Sequence, residues 1–470
     1  MKTRPMSVGH ISRRTALQAT LATGLSAATV SLSALHAFAQ QPRRSANSEL
    51  RIGVIGVGVR GKYLIGNLPE AARVTAICDC AKSRIASALA PKGNFASVLQ
   101  AFRDRDAPRC ATYQDYRQML DREKLDAVVI ATPDHHHALA AMLALRAGLD
   151  VYLEKPLTLT IREGRLLADM VQRTGRVLQV GSQQRSMEVN RFACEFIRSG
   201  GLGKISKVEL PNYPGPMTIP RLPNSSAPPE VDWEMFLGPA PRQPYARQLW
   251  IKDEYHVGEL LWRGWDLYRD YSGHIMTNWG AHSVDMVQYA LGRDRSGPSE
   301  IVATEPESVD IFGQMWNQKT PLPGKESHRF WPVRMRYDDG VELHFAHGPE
   351  FIRFHGERGT LKMRRNYFET DPPGLAVGGP DAVTAAKWNG AGHVARPHLQ
   401  NWLDAIRDGA TLNAPVESGH RTVSICHLAN IARELQRPLR WNPISETFID
   451  DAAADMLLER PRRAGFELPA

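Results

Sequence analysis

Leu50-Arg51-Ile52-Gly53-Val54-Ile55-Gly56-Val57-Gly58-Val59-Arg60-Gly61 is the stretch on which the reading of this chain turns. Its first six residues are β-rich and run into G-x-G-x-x-G, and Lys62–Leu68 beyond it is helix-like. In such a strand–turn–helix the first glycine makes the tight turn and the second lets backbone approach a pyrophosphate. The third lets helix and sheet pack closely, and the N–H groups of the helix start face the phosphates. Gly56, Gly58 and Gly61 take these three places, with Val59 and Arg60 inside the turn. A second strand, Val74–Cys78, ends in Asp79, 23 residues after Gly56. An acid at that point accepts hydrogen bonds from the adenine-ribose hydroxyls of NAD. Lys82 and Arg84 lie close enough in sequence to hold the additional phosphate of NADP, so the sequence favours NAD and leaves NADP open.

The alternation continues outward. Asp126–Thr132 reads as a buried parallel strand, Pro133–His137 as a loop, and Ala138–Ala147 as a helix stopped by Gly148. Asp150–Leu153 is the next strand and ends in Glu154-Lys155-Pro156. Leu166–Thr174 is a helix stopped by Gly175, and Val177–Gly181 is a further strand. Strands alternating with helices form a parallel sheet covered on both faces, and ligands bind at the carboxyl ends of its strands. Thr132, Pro133, His137, Glu154 and Lys155 fall there together with the glycine turn.

After Pro211 the composition changes. Ten of the 32 prolines lie in 211–244, and all ten tryptophans lie at or beyond Trp233. Trp233, Tyr245, Trp250, Trp262, Trp265 and Tyr268 form an aromatic set that would suit the apolar C–H faces of a sugar. Arg334–Tyr337 with Val341–Phe345, and Phe351–His355 with Thr360–Met363, read as two hairpins, while His398–Arg407 and Val423–Leu435 read as helices. The predicted architecture is α/β: a Rossmann dinucleotide-binding domain at 50–180, and an α+β domain at 181–470 with a largely antiparallel open sheet.

Together these pieces resemble the glucose–fructose oxidoreductase, inositol dehydrogenase and rhizopine-catabolism (Gfo/Idh/MocA) family. The matching residues are the glycine turn, Thr132-Pro133 with His137, Glu154-Lys155-Pro156, Val180-Gly181 with Gln183 and Arg185, and Gly280-x-His282-x-x-Asp285. The resemblance implies hydride transfer with Lys155 and His282 at the reacting centre, His137 near the nicotinamide, and a homo-oligomer, dimer or tetramer, joined through the open sheet. The acid of the family's D-x-x-x-H pattern falls on Asn278, which can orient a hydroxyl but cannot take its proton. His282 is then the expected base, Lys155 the group that steadies the alkoxide, and Asp285, one turn on, the residue that orients the ring.

The chain of 470 residues carries a net +8. Four of its basic residues, Lys2, Arg4, Arg13 and Arg14, lie in 1–39, which holds no acid, so the remainder is only mildly basic. That gives no case for a nucleic-acid partner. Ser12-Arg13-Arg14-Thr15-Ala16-Leu17-Gln18 resembles a twin-arginine export signal, with Ala16 and Gln18 departing from the usual aromatic and lysine. Ala37-Phe38-Ala39 reads as its cleavage site, ahead of a polar arm at 40–49. The stretch between is too rich in Ala, Thr and Ser for a good membrane anchor. The twin-arginine machinery is thus an expected partner, and the periplasm or exterior the expected location. Five cysteines without C-x-x-C spacing, and three consecutive histidines (His135–His137) that cannot converge on one ion, predict no metal site.

The expected activity is an exported NAD(P)-dependent oxidoreductase acting on a sugar, glycoside or cyclitol. Free nicotinamide cofactor is scarce outside the cytoplasm, so the cofactor would be loaded before export, held tightly, and turned over without net redox change. Two other expectations compete: a glycosidase working by transient oxidation, and a sugar-binding protein on a degenerate dehydrogenase scaffold, for which Asn278 is the best support.

Overall fold

Buried β-branched runs interrupted by helices build the first sheet. Its strands are β1 (Leu50–Ile55), β2 (Ala72–Cys78), β3 (Ala111–Tyr113), β4 (Ala127–Ile130), β5 (Asp150–Leu153) and β6 (Leu178–Val180), all parallel, in the order β3-β2-β1-β4-β5-β6. The computed structural model describes residues 49–218, 224–246, 249–250, 264–305, 327–346, 351–381, 383 and 395–469. The stretch at 1–39 expected to be an export signal, nearly all of the arm at 40–49 and Trp262 lie outside them.

The helices that position the site are α1 (Val59–Asn67), α2 (Asp134–Arg146), α3 (Ile161–Thr174), α4 (Trp233–Leu237), α5 (His274–Leu291), α6 (Arg396–Asp408) and α7 (Val416–Leu435). All five that the sequence anticipates begin earlier than it suggests, α7 by seven residues. Asp134–His137 is the first turn of α2 rather than a loop. Pro133 precedes that turn in an extended conformation, and Asp134 is the acidic residue of the first turn. In α3 the Thr160 hydroxyl accepts from the Glu163 N–H at 3.3 Å, and the Glu163 carboxylate accepts from the Leu159 N–H at 3.0 Å. This capping starts the helix at Ile161.

The second sheet comprises β7 (Ile205–Pro211), β8 (Glu300–Ala303), β9 (Val333–Arg336), β10 (Glu342–Ala346), β11 (Ile352–Gly356), β12 (Gly359–Arg364), β13 (Tyr367–Asp371), β14 (Leu439–Asn442) and β15 (Thr447–Phe448). The order is β13-β12-β11-β7-β10-β9-β8-β14-β15, antiparallel except where β7 meets β10. Both hairpins expected from sequence are present, β9–β10 and β11–β12. One face packs Val208, Leu343, Phe345 and Phe354 against Met276 and Val284 of α5 and Ile425 and Leu428 of α7. The alternation along the strands leaves the other face polar, with the Arg336–Glu300 and Lys362–Glu369 pairs on it.

Position in the chain and place in the core part company at α6. By sequence it belongs with 181–470, yet Leu399, Trp402 and Leu403 are buried with Leu50, Ile52, Val54 and Tyr152 of the first sheet. The rings of Trp402 and Tyr152 meet edge to face, 5.7 Å apart. α6 is thus one of the helices covering the parallel sheet, and the chain returns to its first core after building the second.

Candidate active site

Register brings the site residues together. Ile55 pairs with Cys78 and with Ile130, and Ile130 with Leu153. Four strand ends are therefore level, and the residues that follow them share one edge: Gly56, Asp79, Thr132-Pro133 and Glu154-Lys155. The tie is made by backbone hydrogen bonds, from Gly56 N–H to the Cys78 carbonyl (2.8 Å) and from Glu154 N–H to the Ile130 carbonyl (2.9 Å).

The three glycines of the turn differ in what they need. Gly56 has φ +87°, and a Cβ there would stand 2.6 Å from the Ala131 carbonyl oxygen. A Cβ on Gly61 would collide with the Gly56 carbonyl oxygen, so α1 packs on the turn only without a side chain there. A Cβ on Gly58 would meet nothing within 4 Å. Gly58 faces open space at the start of α1, as a pyrophosphate-binding turn requires. Asp79 is buried at the end of β2, where its carboxylate accepts from Val57 N–H (3.0 Å) and Ala81 N–H (3.1 Å). It lines a cleft with Gly56, Gln114, Thr132, Pro133 and Phe236. Arg84, the residue that could favour NADP, lies 3.9 Å from Asp79 and stacks over the Trp250 ring at 4.2 Å.

Glu154 and Arg60 tie the turn to β5. Arg60 Nε donates to Glu154 Oε1 at 2.7 Å, so this carboxylate braces the first turn of α1. Lys155 projects to the other domain, where its Nζ donates to Asn278 Oδ1 at 2.6 Å. Asn278 Nδ2 in turn donates to Asp266 at 3.4 Å. Behind it lies a buried acid group. Ser272 Oγ is 2.9 Å from Asp134 and 3.2 Å from Asp266, and His274 Nδ1 is 3.0 Å from the Asp266 carbonyl oxygen. Burial, then the neighbouring Asp266 charge, push Asp134 well above the usual carboxylate range. Burial pushes Lys155 below the usual ammonium range, and Glu154 and Asp134 oppose that shift.

His282 stands one turn along α5 from Asn278. It lines a cleft of about 240 Å³ with Gln184, Tyr213, Trp279, Arg364 and Arg365. Burial holds its imidazole well below the usual range, and the charges of Lys155, Arg365 and Arg60 add to the effect. Its ring is therefore neutral in a strongly cationic setting. The expectation that Asp285 orients this ring is corrected. Arg185 Nε donates to both Asp285 oxygens at 2.8 and 2.9 Å, and Thr422 Oγ1 donates at 3.1 Å. The carboxylate turns to the buried Arg185, which also pairs with Asp294 at 2.7 Å, and Asp285 thereby fixes α5 to α7 and to the turn after β6.

Two further readings change. His137 is buried, with Nδ1 at 2.7 Å from the Pro156 carbonyl oxygen and Nε2 at 3.0 Å from that of Thr132. Both ring nitrogens are occupied by backbone, so His137 staples two strand-end loops rather than offering an edge to a nicotinamide. The aromatic set is packed on itself: Trp233 stacks on Phe236 at 4.7 Å, and Tyr245 and Trp250 close on the same pair. It forms a core of its own beside the Asp79 cleft. The aromatic residues of the His282 cleft are instead Tyr213 and Trp279, the latter 39% exposed. Sequence reasoning passed over Trp279, Tyr213, Arg365, Asp134 and Asp266. Helical spacing from His282 could have marked Trp279, but Asp266 carried no signal, since only the fold brings it to Asn278.

Known proteins share this fold. Residues 50–182 match an oxidoreductase family with an NAD-binding Rossmann fold, and residues 217–346 and 392–468 match that family's C-terminal alpha/beta domain. Over 178 residues the chain is 32% identical to a glycosyl hydrolase family 109 protein of Shewanella amazonensis, covering 35% of this chain and 38% of that one. Over 182 residues it is 26% identical to an inositol 2-dehydrogenase of Salmonella paratyphi B, covering 36% of this chain and 50% of that one. The matches thus span half or less of these relatives' length. The WlbA dehydrogenase of Bordetella pertussis, crystallised with NADH and UDP-GlcNAcA, shares the fold over 85% of this chain and 99% of its own, with a TM-score of 0.58 at 16% identity. Levoglucosan dehydrogenase in complex with NADH and levoglucosan does so over 84% and 99%, with a TM-score of 0.54 at 19% identity. Both halves of the chain are matched in order, and the protein belongs to the Gfo/Idh/MocA oxidoreductase family.

Proposed function

We propose that this chain is an NAD-dependent oxidoreductase that exchanges a hydride with a hydroxyl-bearing carbon of a sugar, glycoside or cyclitol. The observation that carries this reading is the single edge shared by the glycine turn, Asp79 and Lys155, reached from the other side by α5 with Asn278 and His282. The residues fit NAD: open space at Gly58, a fixed carboxylate at Asp79, and Arg84 already stacked on Trp250. Gly56, Gly58, Val59, Arg60, Gly61, Thr132 and Pro133 form the rest of its cradle. NAD, when bound, supplies the hydride acceptor.

The protein's own part is proton and charge management. The neutral His282 imidazole takes the hydroxyl proton as the C–H bond yields its hydride, leaving a carbonyl. Lys155 and Arg365 face the developing negative oxygen in a desolvated site, where fixed positive charge acts strongly. Asn278 aims the ammonium of Lys155 and adds no charge of its own. Trp279 offers a flat apolar surface beside His282, suited to a sugar ring.

Mass spectrometry of the denatured, purified protein for released NAD, followed by a sugar panel read by the absorbance of reduced nicotinamide, tests this directly. Bound NAD with turnover on a sugar supports it. Bound NAD with no turnover on any sugar or glycoside would leave the binding-protein reading instead.

The glycosyl hydrolase relative favours a second reading, cleavage of a glycoside by transient oxidation. Its mark is release of the aglycone without accumulation of reduced cofactor. Export by the twin-arginine route and a periplasmic or exterior location belong to the same proposal, as does a homo-oligomer through the open polar sheet face. Fractionation of an Arg13→Lys, Arg14→Lys variant tests the route, with cytoplasmic retention expected.

A further inference from the structure

A cavity of about 280 Å³ lies between Leu159–Ile161, the segment Gly215–Thr218 and helix α7. None of its lining residues belongs to the Lys155 group or to the His282 cleft. Arg329, Arg433 and Arg460 line it, with His427 and Asn430. Arg433 is 2% exposed. Its Nε donates to the Trp331 carbonyl at 3.0 Å, and its other nitrogens donate to the side-chain oxygens of Asn212 (2.6 Å) and Asn430 (3.4 Å). All three acceptors are neutral. Arg460 Nη1 is buried with no acceptor. Among the described residues, no carboxylate forms an ion pair with Arg433 or Arg460. The acid in the wall, Glu434, is engaged by Arg269 at 2.9 Å.

Burying a guanidinium without an opposing charge is strongly unfavourable, and a second one nearby makes it worse. The strain is visible in both groups. Burial, then the charge of Arg329, push Arg433 down to about 9, and burial, then Arg269, push Arg460 down to about 10. Both remain cationic at neutral pH. The cavity is thus lined by Arg433, held only by neutral acceptors, and by Arg460, whose Nη1 has no acceptor and whose neighbouring carboxylates Glu163, Asp270 and Glu434 make no ion pair with it among the described residues, so it can take one more negative charge.

We propose that this cavity binds the oxyanion group of a small ligand, a carboxylate, sulfate or phosphate, held by Arg433 and Arg460. The planar fork of a guanidinium offers paired N–H donors that match such a group. Ligand pockets run from about 300 to 1,000 Å³, so a cavity of this size takes a compact occupant, the free anion or one carried on a monosaccharide-sized body. The site is separate from the proposed hydride-transfer centre and does not depend on that assignment.

Calorimetric titration of the full chain with sodium phosphate, sulfate and acetate, at constant ionic strength set by chloride, is the test. Saturable binding of at least one probe, at one per chain, is expected. Comparing the three probes separates tetrahedral from planar anions. Arg433→Met and Arg460→Met should each weaken binding about 10- to 100-fold, the worth of a charge-assisted hydrogen bond. Retained NAD content shows that the variants have folded. Arg460 is less enclosed than Arg433, so its variant reports even where Arg433→Met misfolds. Absence of saturable binding by all three probes, or wild-type affinity in the Arg460 variant, overturns the proposal.

Discussion

The Lys155 ammonium lies 2.6 Å from the side-chain oxygen of Asn278, the position where the family pattern carries an acid. The neutral amide changes Lys155 more than it changes His282. It adds no charge of its own to oppose burial at the lysine, and on that side the opposing charge, Asp266, stands one hydrogen bond further back.

Asn278→Asp follows from that contact. A carboxylate at this distance favours the charged lysine and raises its pKa. If the ammonium must be charged to steady the alkoxide, activity is lost as pH rises through the Lys155 pKa, so the variant moves the alkaline limb of the rate profile to higher pH. An unmoved alkaline limb contradicts the role given to Lys155.

Removing the base is the most direct probe of chemistry. His282→Ala should lower turnover by ~10²–10⁴-fold with NAD still bound. Lys155→Met should do likewise, and the double variant should lose less than the product of the two, because both act at one transition state. Near-normal turnover in His282→Ala would place the proton transfer elsewhere.

The glycine turn separates binding from folding. Gly58→Val puts its side chain into open space, so the chain should fold normally and lose NAD. Gly61→Ala drives a methyl into the Gly56 carbonyl and should destabilise the fold itself. Cofactor content and thermal unfolding, measured together, distinguish the two.

Asp285→Asn tests a structural role. Arg185 keeps its pair with Asp294 but loses its buried partner, which should cost about 1–3 kcal/mol of stability. The pH profile of the folded fraction should stay as in the wild type, since the carboxylate is not on His282. A shifted acid limb would return Asp285 to the ring.

Stability should fall in mild acid. Burial pushes His136, His398 and His427 down to about 4, so each is neutral in the folded chain at pH values where the unfolded chain, with imidazoles near 6.5, is protonated. Unfolding then takes up protons, and stability is lost as pH drops below about 6.5. Asp134 and Asp285, both raised, act in the opposite sense, but eight buried histidines among the described residues are lowered against these two. Urea midpoints should decline from about pH 7.5 to about pH 5, and a flat series would show that these histidines are not held neutral.

What the sequence shows and what it hides divide along physical lines. Five strands of the parallel sheet were legible because each buried strand ends in a turn residue with a defined task, as Ile55 does before Gly56 and Leu153 before Glu154-Lys155; β3, three residues long and only partly buried, was not. The two hairpins were legible from alternation. His282 and Lys155 were placed by motif. Their surroundings were not, because Asp266 and Arg365 reach the site through tertiary packing that no spacing encodes. The aromatic set misled for a related reason. Composition tells that rings gather, but not whether they gather around a ligand or around one another. Asp285 was misassigned because helical spacing shows which residues share a face, and only the fold shows that Arg185 arrives there first.

The short helix α4 has a further consequence. His135 and His136 both reach the Phe236 carbonyl oxygen, at 2.9 and 3.2 Å, and Met235 and Phe236 form part of the wall of the Asp79 cleft. A dinucleotide in that cleft is therefore gripped by two parts of the chain more than a hundred residues apart. Its binding energy is also cohesion between them. At a hundredfold excess over Kd such a ligand adds about 2.7 kcal/mol to the unfolding free energy. Stripping the cofactor should thus first loosen the seam along Phe236, and resistance to proteolysis there becomes a measure of how full the protein is.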